Sequence, residues 1–471
     1  MRFLVLLMFF CCSFFLKSQS CYFLKDTGTV NVETSNSLIE LGDGSIYVAG
    51  TQGNGPYGGD DMALLKFDAC GNLLWTKFYG DTLSNQILFI NKTSNGRLVT
   101  IGVTGNTQNA NDILFQKLDT AGNVLLQKRY STRINQSAKF IQQTSDKGFI
   151  FCGLIADNYG SNDSYVVKID SSGIVQWSQQ IGGNLNEYAD NVREMSDGNY
   201  IMTGDANSYG AGNYDVEVVK FDKSGNIIWD HTYGDNLDNG CQGIIELSSG
   251  KYLSYGETNV HNSIAFDFFT QIIDTNGNGH TRYTFGGTAA DAIFSIVELS
   301  NKELMCTGYS RSYNGFTDYD VVIFKADTAG NIKWLKNIYN PGIDIGYEIL
   351  PSINGNYLVT GLFGDNNDNY FLIHSDTIPN TSVGIKSNSD ENGFNFYPNP
   401  CNEVLTIDLT SENYQNTSID FINVLGQKVK TVILSEKTIN IQTENIPSGI
   451  YTIVIKRETG LPLSKKLLIN H

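Results

Sequence analysis

From residue 22 to residue 376, short apolar runs alternate with clusters of Gly, Asn, Asp and Ser, and no run keeps a helical period. The runs repeat. The phrase Asp61…Asp68-Ala-Cys-Gly71-Asn72 returns as Asp112…Asp119…Gly122-Asn123, Asp163…Asp170…Gly173 and Asp215…Asp222…Gly225-Asn226. It returns again as Asp267…Asp274…Gly277-Asn278 and Asp320…Asp327…Gly330-Asn331, with a truncated copy at Asn369…Asp376. The turn glycines stand 51, 51, 52, 52 and 53 residues apart. A second series runs out of phase with the first: apolar runs ending on Gly50, Gly102, Gly153, Gly204, Gly256, Gly308 and Gly361. A further apolar run precedes each of these across a tight turn, such as Asp43-Gly44 or Asp197-Gly198, which is a hairpin signal.

Each repeat therefore reads as four antiparallel strands, a to d. Asp at the c–d turn can accept its own downstream N–H, and Gly supplies a positive φ. Four strands repeated without intervening helices predict an all-β, seven-bladed β-propeller over residues 21–376. The last copy lacks a strand d, while the segment from Tyr22 to Lys25 is a strand without a repeat. That segment is expected to form the outer strand of blade seven and close the ring, which removes an open edge.

The four Trp residues, Trp75, Trp177, Trp229 and Trp334, share one strand-d position, where Leu126 and Thr281 replace them in copies two and five. A large side chain repeated at one blade position reads as blade-to-blade packing. The turn with its Trp also resembles the tryptophan-docking repeat of quinoprotein propellers, but no quinone pocket is marked and no cofactor is expected.

The chain ends read differently. Arg2, the apolar stretch from Phe3 to Leu16 and the small residues Ser18 and Ser20 predict a secretory signal over 1–20. No later segment is long enough to span a bilayer as an apolar helix. A lipid on Cys21 is an alternative, although the lead-in lacks the usual Leu. Residues 377–393 read as a linker, and 394–471 as a small Ig-like β-sandwich built on about five strand-like runs. There, Pro398-Asn399-Pro400 precedes a run from Val404 to Leu409, followed by Gly426-Gln427, Gly449 with Tyr451, and Lys465 near the end. In that order these motifs resemble the type A C-terminal sorting domain of the type IX secretion system of Bacteroidota. The resemblance implies a secreted or cell-surface protein, exported through the periplasm, whose partner is the type IX machinery.

Composition narrows the chemistry. Lys and Arg number 32 against 49 Asp and Glu, a net charge of −17, which argues against nucleic acid as a partner. Cys152 and Cys306 fall inside apolar runs, and the cysteines read as small buried hydrophobes rather than a disulfide framework. The His residues show no ligand spacing, so no metal and no catalytic residue is singled out. Asp274-Thr-Asn276-Gly-Asn278 imitates the start of a calcium loop but is the fifth copy of the repeat turn. The longer d–a and b–c loops share one face, where Tyr57, Tyr159, Tyr209 and Tyr313 recur among Gly, Asn and Ser. Those tyrosines are the candidate ligand face, suited to a glycan or a protein. The expected function is an extracellular binding or adhesion module without an enzymatic site. The alternative is a carbohydrate-active hydrolase or lyase on the same face.

Overall fold

Strands b and c are apolar on both faces because each lies between two other sheets. In the computed structural model of the chain, Tyr200–Ala206 and Asp215–Phe221 are buried at almost every position, whereas the outer strand Ile227–Tyr233 is half exposed. The structure describes residues 23–27, residues 33–375 and the strands and some turns of 394–469. Excluded from the second range are 106–109, 132–133, 158–159, 260–265, 288, 314–317, 339–341, 354–355 and 365–368.

Seven four-stranded antiparallel sheets follow one another, each hydrogen-bonded in the order a-b-c-d. Blade 4, for example, consists of Glu187–Glu194, Tyr200–Ala206, Asp215–Phe221 and Ile227–Tyr233. Blade 7 consists of Ile343–Pro351, Tyr357–Gly364 and Asn369–Ser375, and its fourth strand is Phe23–Thr27 from the other end of the chain. The register runs from Phe23 opposite His374 to Thr27 opposite Tyr370. Apolar clusters cross every blade boundary. Leu64 and Ile90 join blades 1 and 2, Phe115 and Phe151 join 2 and 3, and Cys152 and Met202 join 3 and 4. Val218 with Phe269, Phe268 with Phe324, and Met305 with Phe371 continue the series. Val48 and Leu372 complete the circuit from blade 7 to blade 1.

Polar clasps reinforce these boundaries. On the turn face, Ser196 of blade 4 donates its N–H (2.7 Å) and hydroxyl (2.5 Å) to Glu246 of blade 5. Ser145 with Glu194 and Ser248 with Glu298 repeat the arrangement. Across the closing boundary, Glu40 of blade 1 accepts from Ser352 and Ile353 of blade 7. At the rim, Trp75, Trp177 and Trp229 each lie on the next blade's c–d turn. The Trp177 indole donates to the Lys223 carbonyl, and a Cβ on Gly225 would lie 2.6 Å from the Trp177 ring. Gly225 therefore serves twice: its φ is +84°, and its bare Cα leaves room for the indole. In the calcium-like turn, Asp274 accepts from the backbone of Asn276 and Asn278 and from the Asn278 side chain, as Asp222 does from Ser224 and Asn226. It is a repeat turn.

One blade boundary contains a proton-sensitive group. Glu217 of blade 4 is fully buried, accepts from Ser164 of blade 3 at 3.3 Å, and its other oxygen has no partner. Burial, with the charge of Asp230 nearby, pushes its carboxyl up to about 8. The folded state thus holds a proton that the unfolded chain releases near its ordinary value. The associated stability is complete below that value and lost as pH rises through about 8. Glu217→Gln is expected to leave stability in mild acid unchanged and to raise it at alkaline pH by on the order of a few kcal/mol. Denaturant unfolding of both proteins across pH checks this; parallel pH profiles would refute it.

Cys152, Cys241, Cys306 and Cys401 are free and buried, as small hydrophobes should be. Cys70 corrects the reading of the sequence: it is disulfide-bonded. It stands on an exposed c–d turn rather than inside a strand, so the argument from apolar surroundings never applied to it. The other described cysteines are free, so its partner is not among the described residues. If the expected signal over 1–20 is cleaved, Cys21 is the cysteine of the mature sequence that remains outside them. Non-reducing peptide mapping of the exported chain is expected to find Cys70 joined to it, and Cys70→Ser to cost about 2–4 kcal/mol. A lipid on the Cys21 thiol would exclude the bond.

The contacts divide the chain after Gly384. The predicted 377–393 linker lies outside the described residues. The C-terminal unit contains a three-stranded sheet (Phe394–Tyr397, Val404–Leu409, Thr438–Gln442) and a four-stranded one (Lys428–Ile433, Ser418–Asn423, Gly449–Lys456, Leu463–Ile469). Leu405, Ile407, Phe421, Ile441, Ile453 and Leu467 form the core of this small β-sandwich. Two of its strands escaped the sequence reading. Lys428–Ile433 is largely exposed, and Leu463–Ile469 carries Lys465 and Lys466, so neither shows a plain apolar run. Pro398, Asn399, Pro400, Gly426 and Gln427 lie outside the described residues. Gly449 opens a strand, the buried Tyr451 donates its hydroxyl to the Pro447 carbonyl at 2.7 Å, and Lys465 pairs with Ile453.

Candidate functional site

The strand-b glycines explain the innermost strands. Opposite each of them strand a bulges, the register skipping one residue, for instance between Ala189 and Asn191 opposite Gly204 and Thr203. The bulge brings a strand-a carbonyl over the glycine. A Cβ on Gly204 would lie 1.8 Å from the Tyr188 oxygen, and one on Gly50, Gly102 or Gly308 would meet the equivalent oxygen at 1.8 or 1.9 Å. The skipped residue has no cross-strand partner and projects from the inner edge. The seven skipped residues are Asn36, Leu88, Lys139, Asp190, Gln242, Phe294 and Tyr347. All seven line one axial cavity of about 280 Å³.

A second cavity, of about 360 Å³, continues from the first toward the loop face and shares Leu88, Lys139 and Asp190 with it. Tyr188 and Asp205 also line it. Asp205 follows Gly204 in strand b; the same position holds Glu257 in blade 5 and Tyr309 in blade 6. Lys139 and Asp190 form an ion pair across the blade 3–4 boundary. The Lys139 side chain is half exposed, while that of Asp190 is 5% exposed. Burial works against the Lys139 charge, but the neighbouring Asp190 carboxylate outweighs it and raises the ammonium's pKa. Burial raises Asp190 in turn, against the pull of Lys139. Asp205 accepts the Cys241 N–H at 2.6 Å; burial and the charge of Asp190 push its carboxyl well above the usual range. Glu257, also raised by burial, accepts the Tyr309 hydroxyl at 3.1 Å. In the layer toward the turn face, Glu348 accepts the Leu38 N–H at 2.7 Å, and burial holds it at about 7 with Arg193 opposing.

Aromatic rings gather on blades 6 and 7. Tyr309 meets Tyr319 edge-on at 4.7 Å, and Phe294 lies 5.9 Å from Tyr309 and 5.5 Å from Tyr347. The lining is therefore uneven, with Asp190 and Asp205 on blade 4 and Phe294 and Tyr347 on blades 6 and 7. That corrects the impression of regularity drawn from the repeat, whose visible departures were confined to the outer Trp position.

Of the predicted loop tyrosines, Tyr57, Tyr209 and Tyr313 do not line this cavity. Tyr57 is half exposed, lines a cleft with Tyr79 and Arg129 at the blade 1–2 boundary, and donates its backbone N–H to Asp61. Tyr209 ties its b–c loop to the d–a loop leading into blade 4 by donating to the Gly182 carbonyl at 2.7 Å. Tyr313 packs against the apolar cluster between blades 5 and 6. Tyr159 lies outside the described residues. Two carboxylates of the d–a loops hold those loops: Asp235 accepts the Leu237 N–H, and Asp291 accepts from Gly287, Ser310 and Ser312. Among the described residues no group of three or more His, Cys, Asp or Glu side chains is placed to hold a metal ion.

Geometry and chain order define the class: a β-propeller followed by a small β-sandwich. Residues 395–470 match the secretion system C-terminal sorting domain family. The chain is a cargo of the type IX secretion system, exported to the cell surface or the extracellular space. No helix among the described residues is long and apolar enough to cross a membrane. No curated protein matches the chain. Among solved structures it is similar to the extracellular domain of a putative hybrid two-component system, BT3049, from B. thetaiotaomicron. That match has 13% identity and a TM-score of 0.45, covering 94% of this chain and 56% of that one. It is also similar to PorZ of Porphyromonas gingivalis, an essential surface component of the type IX secretion system. There the identity is 12% and the TM-score 0.38, covering 91% and 64%. The chain thus spans just over half the length of the first of these and under two thirds of the second. Identity this low bears on no ligand or activity.

Proposed function

We propose that the propeller is an extracellular binding module, without turnover, whose ligand enters the axial funnel from the loop face. One observation carries the reading: seven equivalent bulges deliver seven chemically different side chains into one cavity. A purely architectural ring would have no use for Lys, Asp, Gln and Phe at a position free of strand pairing. Glycans and peptides both fit a polar funnel with aromatic walls. The test is a ligand screen on the exported chain, by thermal shift and then calorimetry, repeated with Phe294→Ala and Gln242→Leu. Hits are expected to weaken at least about tenfold in both variants, the loss of roughly one buried contact each. Hits indifferent to both but lost in Tyr57→Ala would move the site to the loop rim and overturn the reading.

The hydrolase or lyase alternative draws support from one feature. Asp190 and Glu257 both act on the charge of Asp205, and glycoside cleavage calls for a carboxyl pair. Product release from a glycan during the same screen would favour it.

A further inference from the structure

We infer that Arg193 receives the carboxylate of a sugar acid in the axial cavity. This rests on the binding reading above and adds the ligand's chemical class. Arg193 stands in strand a of blade 4, three residues after the skipped Asp190. The equivalent residues of the other blades are Ile39, Asn91, Gln142, Ile245, Val297 and Leu350, so this ring of positions carries a single charge. Its other polar members tie neighbouring blades together. Asn91 donates to the Ile141 carbonyl at 3.1 Å, and Gln142 accepts the Glu194 N–H at 2.8 Å. Arg193 makes no such bond to blade 5 among the described residues. Instead its Nε donates to Asn191 Oδ1 at 3.1 Å, and its guanidinium lies over the Phe140 ring at 5.0 Å. Those two contacts fix the fork and leave both Nη groups without a described partner. None of the described ion pairs includes Arg193.

The guanidinium stands where two cavities meet. The axial cavity of about 280 Å³ and another of about 360 Å³ toward the turn face share Arg193, Phe89, Phe140 and Glu348. The carboxyls of the axial cavity are already engaged: Asp190 holds Lys139, and Glu348 accepts the Leu38 N–H. Burial also pushes Glu348 up to about 7, so its charge offsets only part of the guanidinium's. A positioned guanidinium with two free Nη groups matches a carboxylate through paired hydrogen bonds. Gln242 and Ser295 line the same cavity, together with Phe294 and Tyr347, whose rings meet edge-on at 5.5 Å. An amide, a hydroxyl and ring surface suit the hydroxyls and the apolar face of a sugar. The cavity is at the small end of ligand pockets, sized for one sugar residue. A neutral sugar would leave the guanidinium uncompensated, an amine would be repelled by it, and an acyclic acid would leave Gln242 and Ser295 unused.

The experiment is calorimetric titration of the full exported chain with glucuronate, using glucose, glucosamine and glutarate as the neutral, cationic and acyclic counterparts. Glucuronate is expected to bind about tenfold or more tightly than any of the three. Arg193→Gln weakens it by about that factor and brings it level with glucose. Arg193→Lys, which keeps the charge but not the fork, recovers part of the loss. Glu348→Gln keeps an oxygen for the Leu38 N–H and strengthens glucuronate severalfold; a gain of affinity cannot arise from misfolding. Absence of glucuronate binding, binding indifferent to Arg193→Gln, or glutarate equal to glucuronate overturns the inference. If glucose binds as tightly as glucuronate and is lost in Phe294→Ala, the sugar-acid inference falls while the binding reading stands. If no ligand of any class responds to funnel substitutions, both fall.

Discussion

A chain ending at residue 384 is expected to fold and yet remain inside the cell envelope. The contacts divide the protein there, so the cut removes the sorting domain and leaves every blade intact. The propeller's last strand comes from Phe23–Thr27, not from the C-terminal unit, and the apolar cluster joining blades 7 and 1 draws on propeller residues alone. Folding and export are thereby separable. The truncated protein should appear in the periplasmic fraction, protease-resistant, with none on the surface or in the medium. The full chain should appear outside. Truncated protein recovered outside the cell would show that export does not depend on residues 395–470.

Gly204→Ala is expected to be among the most damaging single-methyl changes in the propeller. The added carbon would sit 1.8 Å from the Tyr188 carbonyl oxygen, with Cα of Ala189 at 2.9 Å, and backbone on both sides cannot yield without undoing the bulge. Overpacking of this kind costs about 3 kcal/mol or more. The bulge also places Asp190, so a surviving fold should lose ligand along with stability. Gly42→Ala, where nothing lies within 4 Å, serves as the control and should change neither. Denaturant unfolding measures the difference between the two; equal midpoints would refute the account of the bulge.

Blade number and ring closure were legible because they depend on spacing, and spacing survives divergence. The turn glycines and the unmatched strand near Phe23 sufficed. The four Trp positions were read correctly for a similar reason: one size of side chain recurs where one kind of contact recurs. The funnel was not legible. Its residues share a position but no chemistry, so a search for similarity passes over them. A signal existed nonetheless: a glycine inside an apolar strand marks a bulge, and each funnel residue stands fourteen places ahead of such a glycine. The loop tyrosines attracted notice because they repeat. Repetition marked scaffold in Tyr209 and Tyr313, which hold their own surroundings together.

Because the skipped residue at each bulge owes nothing to its sheet, its identity is free to vary while the backbone around it stays fixed. Seven such places facing a common axis form a combinatorial surface, comparable in logic to the hypervariable loops of an immune receptor but carried on the stiffest part of the molecule. Lineages bearing this ring could therefore exchange one ligand for another by point substitution, without paying again for the architecture.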